Sequence, residues 1–161
     1  MTDQHPARRD YTMAERHDRA CMRIAMHIRG LWEETGRSDT RLLEGLFLPD
    51  AFTVIGHSHN FTGKGRREHV VPRLFVIEKC IEMLDLGQDD KAIAEFIREH
   101  VKIIMISDEE QVRLDSRTTG LRQKMPKDWQ PGGDIYARLK EVNVEWAPNM
   151  EHYLVAKSSD E

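Results

Sequence analysis

The stretch Arg66-Arg67-Glu68-His69-Val70-Val71-Pro72 sets a carboxylate directly beside an imidazole. Histidine titrates close to neutrality, so His69 is suited to take a proton from water. Glu68 beside it could bind a hard cation. Hydrolysis of a phosphodiester asks for both, a base next to the water and a cation on the scissile phosphate. Lys64, Arg66, Arg67 and Arg73 flank the pair and could face phosphate oxygens. Neighbouring side chains on an ideal strand point to opposite faces. The strand must therefore twist at its end for Glu68 and His69 to share one site, and Pro72 is placed to force that ending. A further acid comes from Asp115, four residues after Gln111 on a helix that Ser107 and Glu110 open with a capping-box pattern. Asp115 suits Mg²⁺ or Mn²⁺, which prefer oxygen ligands; Gln111 is a poorer donor.

A strand ending in acid, His, two apolar residues and Pro resembles the first element of the HNH, or His-Me finger, nuclease motif. The run Ile104-Met105-Ile106-Ser107-Asp108-Glu109-Glu110-Gln111-Val112-Arg113-Leu114-Asp115 is similar to that superfamily's strand-to-helix junction. The match spans about residues 51–115, with two helices inserted between the strands. The resemblance implies a two-stranded hairpin and a helix gripping one divalent metal, Mg²⁺ or Mn²⁺. In it His69 is the base and Glu68 and Asp115 are the metal ligands. Lys64, Arg66, Arg67 and Arg73 would hold nucleic acid. This chain departs from the motif where the helix carries histidines, since Gln111 and Asp115 stand there, and Asn60 precedes His69 instead of following it.

The elements that must position these residues can be read from periodicity. Cys21, Ile24, Ala25, Ile28, Leu31 and Trp32 recur at steps of three and four, which predicts a helix over 12–34 with Gly36 as its stop. A short helix over 40–47 would be stapled by Leu42, Leu43, Leu46 and Phe47. Residues 51–55 and 66–71 predict two strands joined as a hairpin through the turn-rich 57–65. Leu74, Ile77, Cys80, Ile81 and Leu84 mark a helix closing at Gly87. Asp89 or Asp90 caps the next one, whose core face is Ile93, Phe96 and Ile97. Val101–Ile106 is apolar on both faces, as in a strand covered on both sides. A short helix near 135–142 and a strand near 144–146 follow.

The class expected is α+β: a helical N-terminal part, then a divergent ββα-metal hairpin-helix core with inserted helices. Residues 1–11 are expected to be a mobile arm, 12–157 one domain and 158–161 a polar tail. The 161 residues suit one domain. The formal net charge of −4 neither requires nor forbids a basic face. Cys21 and Cys80 lack metal-ligand spacing and read as buried thiols. The polar start shows no signal peptide, and no apolar run reaches the ~20 residues of a membrane span. Those features predict a cytoplasmic protein.

Two other functions fit the residues. One is a non-catalytic interaction or inhibitor protein of phage or plasmid origin, bound to a protein partner; the missing helical histidines favour it. The other is an NTF2-like cone binding or isomerising a small apolar ligand, suggested by Leu48-Pro49-Asp50-Ala51-Phe52-Thr53-Val54 and the Gly63…Gly65 turn. Each singled-out residue also has a plainer role. His69 could pair with Glu68 or a carbonyl, Glu110 could only cap, and Asp115 could simply end a helix. His57 and His59 fit a loop as well as a metal, and His100 fits a helix–strand junction. Arg117, Arg122, Lys124 and Lys127 could extend the phosphate-facing rim or be ordinary solvated loop residues. Trp129 and Tyr136 could stack on bases, although packing is the simpler role.

Overall fold

A computed structural model describes residues 8–149. The predicted arm falls mostly, and the predicted tail wholly, outside the described residues. Helix α1 (Met13–Thr35) begins at Thr12, whose hydroxyl accepts from the Glu15 amide while the Glu15 carboxylate accepts from the Thr12 amide. It ends at Gly36, which takes the left-handed conformation with φ 66°. A single 3₁₀ turn (Thr40–Leu43) and a one-turn helix α2 (Asp50–Thr53) lead into strand β1 (Val54–Ser58) and strand β2 (Arg66–His69). Helices α3 (Arg73–Asp85) and α4 (Asp90–His100, capped by Asp89) follow, then strand β3 (Ile103–Ile106) and helix α5 (Asp108–Asp115). Helix α6 (Ala137–Glu141) and strand β4 (Trp146–Pro148) complete the described part. The α+β class is as expected.

The sheet order is β2-β3-β1-β4, with β1 and β3 parallel and both outer pairs antiparallel. This corrects the expected hairpin, because β3 lies between β1 and β2. Composition explains the arrangement. Ile103-Ile104-Met105-Ile106 is the most apolar strand and takes a central place with both edges paired. Arg66-Arg67-Glu68-His69 is charged and takes an edge, where long polar side chains reach solvent and deter further pairing. The parallel β1–β3 pair needs a crossover, and α3 and α4 supply it.

Helix α4 lies antiparallel against α1. Arg98 at its end holds Asp18 near the start of α1, and Asp90 at its start receives Arg29 Nε at 2.6 Å. Ile24, Ile28, Ile77, Cys80, Ile93 and Ile97 meet in one core with Val70, Val71, Ile104 and Leu114 from the sheet side. Burial of this kind contributes roughly 25 cal/mol per Å² of apolar surface. Two boundaries differ from the sequence reading. The one-turn helix α2 occupies 50–53, where strand was expected, and Leu46 and Phe47 lie exposed on a turn instead of stapling a helix. The C-terminal third contributes one three-residue strand among the described residues, whereas a cone-shaped NTF2-like barrel needs several long ones.

Candidate functional site

Residues 66–69 and 103–106, far apart in the chain, lie side by side. The register is Arg66↔Ile106, Arg67↔Met105, Glu68↔Ile104 and His69↔Ile103. Gly65 permits the start of this pairing, since a Cβ there would stand 1.9 Å from the Ile106 carbonyl oxygen. Helix α5 leaves the end of β3 and packs back beside β2. Its start is fixed by Ser107, which accepts from the Glu110 amide at 3.2 Å, and by the Glu110 carboxylate, which accepts from the Ser107 amide at 2.9 Å. Glu110 is only 1% exposed and also accepts from the Ser58 hydroxyl at 2.5 Å, so it ties α5 to β1. Arg66 reaches Asp108 in the first turn of α5 at 3.3 Å. Antiparallel strands followed by a helix are thus present, with the helices α3 and α4 inserted between the strands.

Glu68, His69, Gln111 and Asp115 all line one open cleft of about 320 Å³, with Thr40, Arg67, Arg73 and Arg122 around it. An adjoining recess of about 740 Å³ continues between Arg66, Arg67 and the Val112–Asp115 side of α5. Three of the predicted cations are engaged with acids of this chain, Arg66 with Asp108, Arg67 with Asp50 and Arg73 with Glu44. Lys64 is exposed on the loop before β2, and Arg122 is exposed at the mouth of the cleft. Arg117, Lys124 and Lys127 are solvent-exposed and do not line it.

Glu68 has a partner that the sequence reading missed. Arg138, on α6 and 1% exposed, donates through Nη2 to Glu68 Oε1 and to the His69 carbonyl, and through Nη1 to the Leu121 carbonyl at 2.9 Å. The signal was present in the sequence: Arg138 stands in an otherwise apolar run, Ile135-Tyr136-Ala137-Arg138-Leu139. A buried guanidinium must find carboxylate and carbonyl acceptors, and β2 supplies them.

His69 is largely buried, and no hydrogen-bond partner reaches its Nδ1. Burial, followed by the Arg67 and Arg138 charges, pushes its pKa down to about 4 against the opposing pull of Asp50. The ring is therefore neutral at pH 7 and can accept a proton, though only as a weak base. The unbroken β2 register sends Glu68 and His69 to opposite faces, and their common reach to the cleft comes from the edge position of the strand.

Glu68 and Asp115 are the carboxylates that this cleft offers to a divalent cation. The Glu68 carboxylate is already neutralised by Arg138, guanidinium groups ring the cleft, and Asp115 is the one further carboxylate lining it. Among the described residues no three His, Cys, Asp or Glu side chains gather as ligands. The remaining candidates make contacts elsewhere in the fold. His100 Nδ1 lies 2.8 Å from the Phe96 carbonyl and its ring stacks on Phe96. Trp129 packs on Phe75 and donates to the Asp134 carbonyl at 2.8 Å, and Tyr136 packs on Trp146. His59 lies 3.6 Å from Glu145, while the ring of His57 packs near Phe61. No helix among the described residues is long and apolar enough to cross a membrane.

Comparison with protein-family models, with curated proteins and with solved structures finds no match for the chain. The candidate site accordingly rests on its own geometry.

Proposed function

We propose that the chain binds nucleic acid through the β2–α5 cleft, as a nuclease-like domain that holds a phosphodiester backbone without metal-dependent cleavage. The observation that carries this reading is the meeting of Arg67, Arg73 and Arg122 around one open cleft with His69 and Gln111. Guanidinium groups suit phosphate because they are planar, permanently charged and able to donate two parallel hydrogen bonds. Arg67 and Arg73 now sit with Asp50 and Glu44 at the surface, where an ion pair is worth only ~0–1 kcal/mol and exchanges readily for phosphate. Arg138 beside Glu68 supports the non-cleaving form, since the carboxylate that the nuclease motif would offer to Mg²⁺ or Mn²⁺ is already neutralised.

Binding of fluorescent single- and double-stranded oligonucleotides, measured across salt concentrations, tests the reading. Three phosphate contacts give a slope of log affinity against log salt of about −2 to −3. Arg122→Glu should reduce that slope by about 1 or more and weaken binding for every sequence. Chelator should leave affinity unchanged, and Mg²⁺ or Mn²⁺ should give no cleavage products. Absence of binding at low salt would remove the proposal. Cleavage that requires Mn²⁺ and is lost in His69→Ala would replace it with the metal-dependent nuclease.

A further inference from the structure

Outside the cleft lining, Tyr11, Arg16, Arg19, Arg23, Leu46, Phe47, Pro49 and Phe52 line a groove of about 400 Å³ with no carboxylate among the described residues that line it. Steps of three and four place the three arginines along one side of α1, roughly 4.5 and 6 Å apart along its axis. None of them has an ion-pair partner among the described residues. By contrast, Arg29, Arg41, Arg66, Arg67, Arg73 and Arg98 each hold a carboxylate of this chain. Across the 45–47 turn, Asp39 and Glu44 are neutralised by Arg41 and Arg73. The groove is therefore locally positive on a protein of net charge −4.

Beside these cations stands unspent apolar surface. Leu46 is 87% exposed and Phe47 41% exposed at the tip of the turn, with a second recess of about 440 Å³ on the far side lined by Leu42, Gly45, Leu46 and Phe47. Aromatic residues and arginine with few lysines or acids is the composition of the core of protein interfaces. Nucleic acid fits this groove less well, because base stacking needs free ring faces. Arg19 lies over the Tyr11 ring at 4.4 Å, His17 stacks on Phe52, and His27 packs near Phe47. The most exposed apolar group, Leu46, is aliphatic.

We infer that this groove is a docking site for an acidic amphipathic segment of a partner protein, whose apolar side chains pack on Leu46 and Phe47 while its carboxylates pair with Arg16, Arg19 and Arg23. The residues that line this groove are distinct from those of the β2–α5 cleft. Helix-in-groove recognition uses apolar anchors at helical spacing, and charge complementarity adds specificity and speeds association.

The test uses a synthetic helical peptide of about four turns, with leucine at i, i+3, i+4 and i+7 and glutamate elsewhere. Its fluorescence anisotropy is followed with the full chain at low and high salt. Saturable, salt-sensitive binding is expected, weakened about tenfold or more by Arg19→Glu with Arg23→Glu, and separately by Leu46→Asp. Circular dichroism checks that the variants fold, and Arg122→Glu should leave peptide binding intact. A lysine-for-glutamate peptide should not bind. The inference is overturned if the glutamate peptide fails to saturate. It is also overturned if its binding ignores both groove variants, or if the groove variants instead abolish binding of oligo-dT, of phosphatidylserine vesicles or of a second copy of the chain.

Discussion

Arg138 on α6 donates to the Glu68 carboxylate on β2, a residue seventy positions away, and the same guanidinium nitrogen also reaches the His69 carbonyl. The edge strand that carries the candidate site is therefore tied by one side chain to the C-terminal part of the fold. Arg138→Met should destabilise the protein by about 3–5 kcal/mol, because it leaves a largely buried carboxylate without its charge partner. The double substitution Arg138→Met with Glu68→Gln should recover part of that loss. Chemical denaturation of the four proteins in the cycle measures it, and equal stability of the single and double variants would deny the coupling.

Acid should weaken the protein through His69. Its folded pKa lies at about 4, below the ordinary 6.5, so the unfolded chain binds the proton first as pH falls. The contribution is full above pH 6.5, declines as pH falls from there toward 4, and is flat below 4. Its upper size is roughly 3 kcal/mol. His69→Gln should flatten this segment of the stability–pH curve, and the His69 ring resonances in NMR should titrate near pH 4.

Gly65 should resist any side chain. A Cβ there meets the Ile106 carbonyl oxygen at 1.9 Å, on a backbone that cannot yield without parting β2 from β3. Gly65→Ala should cost about 1–3 kcal/mol by overpacking. Faster amide hydrogen exchange at Glu68 and at Val70, whose amide donates to the Lys102 carbonyl at 2.9 Å, against unchanged exchange in α1, would locate the damage in this pair. Wild-type stability in the variant would argue against the close approach.

The two thiols should be inert in the native protein. Burial pushes Cys21 and Cys80 up to about 12, Cys21 despite the opposing charge of Arg23, so neither forms thiolate near neutrality. Iodoacetamide at pH 8 should label neither until denaturant is added, when both react. Mass spectrometry of the two samples distinguishes these outcomes.

Much of the fold was legible because it is local. Ser107 with Glu110 announces a helix start through a pattern of four residues, and that capping box forms as read. Cys80 and Ile77 declare a buried face by spacing alone. Val101–Ile106 shows its central place through β-branched residues on both faces. The candidate site was legible in its parts for the same reason, since a Glu-His pair before Pro72 and an acid at the end of a capped helix are visible in the letters.

Partnership was not legible. The letters place 66–71 directly after 51–55 and so favour a hairpin, yet pairing is decided by which strand most needs both edges covered. Nothing adjacent to Glu68 in sequence reveals that a guanidinium from α6 will reach it. Leu46 and Phe47 have the same spacing as core residues and differ only in which way the turn faces. The sequence by itself determined where the longer helices lie, which of their faces are apolar and which side chains could do chemistry, because those follow from neighbours three and four positions away. Tertiary structure alone decided the strand order, the partner of Glu68 and the charge left unmatched on α1, because each depends on groups that meet only when the chain closes on itself.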